Sequence, residues 1–368
     1  MHLLALQSRG CKCAILLTGE QTAANFLRAG MNRSAMLDYA RREDVRVIEN
    51  PVVHVWPLRL FRNPLERRKN NILRGAEKRL EKYIREEGRP DFIFHHGIFD
   101  YCYLTHHLSR KFDLPVRYLE NSPKIEKDVL PVGNPFDDDA FRKEFVRKVE
   151  MRFAATDDYV KKMEAVFGVK FRRCPNVVTD DFFAEGKIEK PTDRFRFVNV
   201  AILTERKNQK LLIEAFADQF AGQEKYSLVI AGDGPLKSEL EALARSRGVA
   251  DQVEILGFID RERVISLLDE SHVFVLPSHS ETFGVVVVEA MARGLPAITA
   301  DIDGTREIIL PENGVVFPPN DREALGLAMI KMARKYDSYN FDDVVASVRR
   351  RYGPDALVNA LLHGNELR

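Results

Sequence analysis

Glu281 and Glu289, separated by seven residues, are the side chains of this sequence best suited to chemistry. They lie in the stretch 276–294, LPSHSETFGVVVVEAMARG. This stretch begins at the last residue of the apolar run 273–276. A short apolar run is typical of a buried strand, and the residues before Gly294 are typical of a helix end. We therefore predict a strand, then a loop that carries Glu281, then a helix that carries Glu289.

The predicted helix spans residues 284–293, although four consecutive valines favour a strand. Gly284 suits the start of the helix. The backbone N–H groups of a first helical turn have no intrahelical partner, and the helix dipole favours an anion beside them. We predict that the amides of Phe283, Gly284 and Val285 bind a diphosphate.

Carboxylates beside an anion site need a further explanation, because they suit such a place only when hydroxyl groups donate hydrogen bonds to them. Sugars and ribose are rich in hydroxyls, and a nucleotide-sugar combines both with a diphosphate. We therefore expect Glu281, Thr282 and Glu289 to bind a nucleotide-sugar together with the three amides.

The segment ETFGVVVVE (281–289) resembles the signature of the retaining glycosyltransferases of family 4, which have the GT-B fold. Other segments resemble the same family in the same order. They are VNVAILTERKNQKLLIEAF (198–216), LVIAGDGP (228–235), VEILGFIDRERV (253–264), GLPAITADIDGTREII (294–309) and NGVVFP (313–318). The resemblance covers residues 195 to 330 most strongly. It implies an α/β protein with two Rossmann-like parallel-sheet domains that face each other across a cleft.

The resemblance also implies roles for residues that follow predicted strands. Lys207, which we predict to head a helix after Arg206, matches the lysine that contacts the donor diphosphate. A polar surface pair is the alternative for these two side chains. Gly232 and Gly234 match glycines that let the backbone approach the nucleotide, and Gly257-Phe258 matches the segment whose backbone reads the base.

This sequence departs from the family pattern in three places. Ile202 stands where an arginine commonly binds phosphate, so donor affinity is expected to depend on Lys207, Arg206 and the amides. Asn121 stands where related transferases often have a histidine. The start of the chain lacks the first strand and the glycine-rich loop of the family, so the first domain is predicted to lack its first strand.

Acceptor-side candidates follow two predicted strands, 91–95 and 114–119. They are His96, Glu120, Asn121 and Ser122. Ligands bind at the carboxyl ends of strands in open α/β sheets, so position alone selects these residues. We predict His96 as a catalytic group on the acceptor side, with an ordinary hydrogen-bonded histidine as the alternative.

The predicted domain organisation has three parts. Residues 1–178 form the acceptor-binding domain with the truncated start, and residues 179–345 form the donor-binding domain. The resemblance implies that a helical segment, 346–368, crosses back to the first domain. Regular alternation of strands and helices between 196 and 300 predicts a parallel sheet that is covered on both faces.

Composition limits the class of protein. A hydrophobic content of 45% with 30% charged residues in 368 residues describes a globular protein large enough for two domains. No apolar run approaches the roughly 20 residues of a membrane span, and there is no signal peptide. We expect a cytoplasmic protein, with its four cysteines reduced.

Charge is distributed unevenly along the chain. Residues 1–180 contain 33 Lys and Arg against 25 Asp and Glu, and the rest contains 23 against 30. Between residues 59 and 85, ten basic residues accompany three glutamates at helical spacing, which predicts a basic amphipathic helix. The alternatives are a solvated helix and one that lies on an anionic membrane surface. No recognition motif supports nucleic acid as a partner.

We expect no metal and no cofactor. Asp137–Asp139 looks like an Asp-x-Asp metal motif, but acidic residues are favoured in a first helical turn, and we predict a helix there. The resemblance implies metal-independent transfer of a hexose-type sugar, with retention of configuration, from a UDP- or GDP-sugar. The acceptor would be a glycan or a lipid-linked sugar in bacterial polysaccharide synthesis. An epimerase, a phosphorylase and an inactive sugar-nucleotide-binding protein are the alternatives.

Overall fold

A computed structural model describes residues 9, 14–18, 46–50, 64–97, 101–120 and 138–363 of the chain. Its contacts divide these residues into two compact units. The N-terminal unit holds the described residues up to 154 together with 162–172. The C-terminal unit holds 155–161 and the described residues from 173 onward.

The N-terminal unit contains two small sheets. Strand β1 (Ala14–Thr18) pairs in parallel with β2 (Arg46–Asn50). The second sheet has four strands in the order β3 (Ile93–His96), β4 (Val116–Glu120), β5 (Met151–Ala154) and β6 (Arg172–Arg173). The pairs β3–β4 and β4–β5 are parallel. Parallel neighbours require crossover connections, and helices make them here.

Four helices accompany these strands, although the first residues of the fourth, 157–161, belong to the C-terminal unit. They are α1 (Pro64–Glu87), α2 (Cys102–Phe112), α3 (Asp139–Lys148) and α4 (Asp157–Phe167). Helix α1 confirms the predicted basic helix over the described part of 59–85. The side chain of Asp138 accepts a hydrogen bond from the backbone N–H of Phe141 at 2.7 Å, so it caps α3. The interpretation of Asp137–Asp139 as a helix start is thereby confirmed.

The C-terminal unit contains one six-stranded sheet. Its strands are β7 (Phe195–Val200), β8 (Tyr226–Ala231), β9 (Val253–Gly257), β10 (Val273–Leu276), β11 (Ala297–Ala300) and β12 (Gly314–Phe317). The order is β12-β11-β10-β7-β8-β9, and every neighbouring pair is parallel. The predicted parallel sheet is confirmed.

Helices connect the strands of this sheet and follow it. They are α5 (Gln209–Phe220), α6 (Lys237–Ser246), α7 (Arg261–Asp269), α8 (Val285–Ala292), α9 (Asp303–Arg306), α10 (Arg322–Lys335), α11 (Phe341–Tyr352) and α12 (Pro354–Val358). Short 3-10 turns span Asp180–Phe182, Glu205–Lys207 and Tyr336–Ser338, and a π-helical turn spans Asn359–His363.

Both faces of this sheet are covered, as predicted. Along β10, Phe274 and Leu276 pack into one hydrophobic cluster. Val273 and Val275 pack into the other. Successive side chains of a strand point to opposite faces, so a strand buried on both sides has a continuous apolar sequence. This is why no polar alternation marks these strands.

The four valines lie in helix α8, as the end signals predict, against their strand propensity. Val287 and Val288 are buried in the core cluster of that face. Gly284 and Gly294, on either side of α8, have φ of +79° and +77°, in the left-handed region that favours glycine. Tertiary burial and the two glycines therefore decide the conformation.

Two features differ from the predictions. Lys207 does not head an α-helix: it ends the 3-10 turn, and Asn208, with φ of +54°, separates that turn from α5. Strand β12 was not assigned from the sequence. The prediction of a missing first strand concerns the start of the chain, most of which lies outside the described residues.

Among the described residues, no helix combines the length and apolar character that crossing a membrane requires.

Candidate functional site

Three side chains converge on the carboxylate of Glu281. Its Oε1 accepts hydrogen bonds from Nζ of Lys207 at 2.5 Å and from Oγ of Ser278 at 2.7 Å. Its Oε2 accepts from Nη1 of Arg206 at 3.1 Å. The predicted loop carboxylate and the predicted phosphate-binding cations therefore lie in one cluster, and the structure adds Ser278 to them.

Two neighbouring strands bring this cluster together. The 3-10 turn with Lys207 follows β7, and the loop with Glu281 follows β10, which pairs in parallel with β7. The backbone N–H of His279 donates to the carbonyl of Arg206 at 2.9 Å. The guanidinium of Arg206 donates to the carbonyl of Ser280 at 2.9 Å. The two loops are thus joined at the carboxyl edge of the sheet, where open α/β sheets bind ligands.

Helix α8 begins directly after this loop. Gly284 is its N-cap and provides no side-chain hydrogen bond to the first turn. The ring of Phe283 is buried and packs edge-on against Tyr352, with 5.2 Å between ring centroids. Thr282 is partly exposed, as is Val285. Since no side chain caps the first turn, its amides are suited to an anion.

A close approach of backbone holds the Glu281 loop in place. A Cβ added to Gly304 would lie 2.1 Å from the carbonyl oxygen of Glu281, so only glycine fits at the start of α9. Beside it, a Cβ on Gly284 would lie 3.1 Å from the methyl group of Thr305. The helix start with Gly304 therefore positions this loop.

Glu289 lies on α8 and is 9% exposed. Burial raises the pKa of its carboxyl to about 7; the nearby positive charge of Arg261 opposes this, and the negative charge of Asp181 adds to it. Arg261 is itself held by Asp181, at 2.8 and 2.9 Å, and by Thr179 at 2.5 Å, with its guanidinium 4.3 Å from the ring of Phe182. Arg261 lies in the segment 253–264 that resembles the family, but no role was predicted for it or for Asp181.

Gly232 and Gly234 pack against the segment that follows β7. Added Cβ atoms would lie 1.9 Å from the carbonyl oxygen of Ala201 and 2.4 Å from that of Leu203, respectively. The backbone N–H of Gly232 also donates to the carbonyl of Gly257 at 2.8 Å. This packing explains why both positions are occupied by glycine. The close approach of their backbone to a nucleotide stays a prediction.

Exposed apolar side chains lie on both sides of the Gly232–Gly234 turn. Phe258, after β9, is 82% exposed, and Ile202, after β7, is 55% exposed. Gly257 has φ of +78°, and an added Cβ would meet Nζ of Lys237 at 3.0 Å. The predicted base-reading segment is therefore an open strand end with an accessible aromatic ring.

The acceptor-side candidates lie in the N-terminal unit. Glu120 is fully buried, and the hydroxyl of Tyr118 donates a hydrogen bond to its carboxylate. His96 is exposed and packs edge-on against Phe94, with 4.6 Å between ring centroids. Asn121 and Ser122 lie outside the described residues. The catalytic role of His96 stays a prediction, and Glu120 belongs to the interior of its unit.

Residues 180–340 match the family model described as "Glycosyl transferases group 1". The phosphatidylinositol N-acetylglucosaminyltransferase gpi3 subunit of Schizosaccharomyces pombe is 31% identical over 162 residues, which are 44% of this chain and 35% of that protein. The amylovoran biosynthesis glycosyltransferase AmsK of Erwinia amylovora is 31% identical over 148 residues, or 38% and 36% of the two chains. This chain thus matches less than half the length of either relative.

Solved structures resemble both units. Alr3699/HepE of Anabaena, in complex with UDP-glucose, has a TM-score of 0.68 at 14% identity, and the match covers 99% of this chain and 94% of that one. At this identity the likeness establishes the fold alone, and it confirms the predicted GT-B class. The family match confirms the resemblance that the six segments predicted.

Proposed function

Since residues 180–340 match the group 1 glycosyl transferases, we propose that this chain is a retaining glycosyltransferase that uses a nucleotide-diphosphate sugar. The observation that supports this most directly is the convergence of Lys207, Arg206 and Ser278 on Glu281, in front of the uncapped start of α8. Cations and free amides suit a diphosphate, and the carboxylate suits sugar hydroxyls.

The donor diphosphate would replace the carboxylate of Glu281 as the binding partner of Lys207 and Arg206. Without donor, Glu281 pairs with both Lys207 and Arg206 and offsets one of their two positive charges. A donor diphosphate carries more negative charge than one carboxylate, and charge-assisted hydrogen bonds to phosphate are strong. On binding, the two cations turn to the phosphates, and the oxygens of Glu281 become acceptors for the hydroxyls of the transferred sugar.

The same groups would stabilise the reaction. As the glycosidic bond to the diphosphate breaks, negative charge grows on the leaving oxygen beside Lys207 and the first-turn amides of α8. Fixed positive groups at such a place lower the barrier because they need no reorganisation. Glu281 would support the oxocarbenium-like carbon from the other side. Neither role requires a metal ion, and the donor is a substrate and not a resident cofactor.

Glu289 would bind the ribose of the donor. Its position on α8, past the first turn, suits a group that lies beyond the diphosphate. An ionised carboxylate can accept hydrogen bonds from two neighbouring hydroxyls. Phe258 and the backbone at Gly257 would lie along the base.

The acceptor would be a glycan or a lipid-linked sugar. The relative from Erwinia amylovora is named for amylovoran biosynthesis, and the one from Schizosaccharomyces pombe is named for phosphatidylinositol. Helix α1 has a basic face, which suits an anionic membrane surface at the inner side of a cell membrane. We therefore extend the proposal to bacterial surface-polysaccharide synthesis by a peripherally bound enzyme.

The test starts with a thermal-shift screen of UDP, GDP and their hexose derivatives. The best donor is then assayed for hydrolysis and for transfer, and NMR of the product reads the anomeric configuration. We expect turnover with retention, and a loss of at least about 100-fold in kcat/KM for Glu281→Gln. Glu312→Gln, at an exposed glutamate of the same unit, is the matched control.

Other outcomes would identify the alternatives. Nucleotide binding without hydrolysis or transfer would indicate an inactive sugar-nucleotide-binding protein. Interconversion of the sugar nucleotide without acceptor would indicate an epimerase, and dependence on phosphate would indicate a phosphorylase. Inversion of configuration would contradict the proposed mechanism.

A further inference from the structure

Ser278 is a fully buried residue in the loop that follows β10. Its hydroxyl donates a hydrogen bond to Oε1 of Glu281 at 2.7 Å, three residues further along the same loop. A bound donor has no direct access to a side chain without exposed surface. Ser278 therefore acts on a bound sugar only through the carboxylate of Glu281.

The three side chains that donate to Glu281 differ in charge. Nζ of Lys207 donates to Oε1 at 2.5 Å, and Nη1 of Arg206 donates to Oε2 at 3.1 Å. Both groups are cations, and the side chain of Arg206 is 44% exposed. Charge-assisted hydrogen bonds to phosphate are strong, so a diphosphate gives both cations an alternative partner. The hydroxyl of Ser278 is neutral and buried, so it has no such alternative.

The backbone of this loop is held by contacts that do not use the hydroxyl of Ser278. The backbone N–H of His279 donates to the carbonyl of Arg206 at 2.9 Å. On the other side, a Cβ added to Gly304 would lie 2.1 Å from the carbonyl oxygen of Glu281, so the two backbone segments are in close contact. Loss of the hydroxyl should therefore change the side chain of Glu281 and leave the path of the loop as it is.

The carboxylate of Glu281 needs a fixed position after the cations have turned to the diphosphate. A glutamate side chain has several rotatable bonds, and fixing them costs conformational entropy. Groups that are already in place before the reaction avoid this cost in the transition state. The hydrogen bond from Ser278 holds Oε1 and leaves both acceptor positions of Oε2 for the hydroxyls of the sugar.

We propose that Ser278 is a positioning residue for Glu281. Its hydroxyl keeps the carboxylate oriented toward the transferred sugar while the donor diphosphate binds Lys207 and Arg206. This inference rests on the proposed function, because it concerns the step in which the two cations change partner. It extends that function, since Ser278 then matters for the sugar of the donor and not for its nucleotide.

The test compares turnover with nucleotide binding in Ser278→Ala. We expect kcat for transfer to fall about tenfold, because a hydrogen bond to a charged group is lost. The affinity for free UDP or GDP, measured by calorimetry, should change by less than about twofold, because charge-assisted contacts to the diphosphate remain. Glu281→Gln differs from this variant, since it should bind the free nucleotide more tightly.

Ser271→Ala is the matched control. Ser271 is also fully buried, and its hydroxyl donates to the carbonyl of Leu267 at 2.7 Å. It precedes β10 and so lies at the other end of that strand. Its loss should leave kcat unchanged. Ser278→Cys, which fills the same space with a weaker donor, should also lose turnover, and it provides the same comparison if Ser278→Ala does not fold.

The results separate this inference from the proposed function. If the parent protein shows no turnover, the proposed function is overturned, and the role of Ser278 with it. If the parent turns over and both Ser278 variants keep its kcat, only the role of Ser278 is overturned. A loss of nucleotide affinity in parallel with kcat also overturns it, because the loop itself would then be disturbed. An equal fall of kcat in Ser271→Ala has the same consequence.

Discussion

Lys207 and Glu281 form a nearly buried ion pair, with 2.5 Å between Nζ and Oε1 and with side chains only 11% and 8% exposed. Burial removes hydrating water from both charges, and the attraction between them offsets this desolvation penalty. If one partner is removed, the other charge stays buried without that compensation. The pair therefore links the local stability of the site to its ability to receive a ligand.

Removal of one partner should destabilise the ligand-free protein. We expect Lys207→Met to lower the free energy of unfolding by about 2 kcal/mol, which is below the full effect for a buried pair because Arg206 and Ser278 remain. Adding Glu281→Gln should recover most of the loss. Denaturant unfolding of the two single variants and the double variant measures the coupling.

Lys210→Met provides the control for this cycle. Lys210 pairs with Glu205 and Glu239 but is about one third exposed, so its loss should cost less than about 1 kcal/mol. Strictly additive effects of Lys207→Met and Glu281→Gln would mean that the short contact contributes nothing.

Nucleoside diphosphate binding should respond to Glu281 in the opposite direction from turnover. In Glu281→Gln no carboxylate offsets the charges of Lys207 and Arg206, so UDP or GDP should bind several-fold more tightly. The transferred sugar loses the carboxylate that would accept hydrogen bonds from its hydroxyls, so the rate of transfer should fall. Calorimetry with the free nucleotide and kinetics with the donor separate the two effects. Weaker nucleotide binding in Glu281→Gln would contradict the exchange of partners.

Donor affinity should depend on pH through Glu289. Its pKa is raised to about 7 by burial, so the carboxyl is mainly neutral below that pH in the free protein. If the ionised carboxylate accepts hydrogen bonds from both ribose hydroxyls, the affinity for the donor rises as the pH increases through 7 and is constant above it. Calorimetry on either side of that pKa measures this, and Glu289→Gln should remove the dependence while lowering affinity above pH 7. A profile unchanged by the substitution would exclude Glu289 from the site.

Arg261 and Asp181 should shift that profile in opposite directions. Asp181→Asn removes a negative charge near Glu289 and releases Arg261, so the pKa of Glu289 should fall and the midpoint should move to lower pH. Arg261→Gln removes the positive charge, so the midpoint should move to higher pH. The same binding series provides the measurement. Shifts of the same sign would mean that the substitutions act through a structural change.

Local signals in the sequence predicted much of the C-terminal unit. The apolar runs give β10 and β11, and the glycines at 284 and 294 place α8 correctly although its valines favour a strand. The residues around Glu281 could also be predicted from the sequence, because parallel strands end at one edge of the sheet.

The residues around Glu289 could not be predicted from the sequence in this way. Arg261 and Asp181 are 80 residues apart and meet only because α7 packs beside the turn Asp180–Phe182. The buried carboxylate of Glu120 accepts a hydrogen bond from Tyr118, two residues before it on the same face of β4. Sequence position marks the end of a strand but does not reveal which polar groups satisfy one another in the interior.

The turn after β8 should tolerate no side chain at its glycines. A Cβ on Gly232 would lie 1.9 Å from the carbonyl oxygen of Ala201, and Gly232 has φ of +139°. Gly232→Ala combines a steric clash with backbone strain, so we expect a loss of about 2 to 4 kcal/mol in the free energy of unfolding. Denaturant titration measures it. Gly186→Ala is the matched control, because an added Cβ there meets nothing within 4 Å. Equal stability of the two variants would mean that the turn can move away from β7, and the donor-site packing inferred for it would then be wrong.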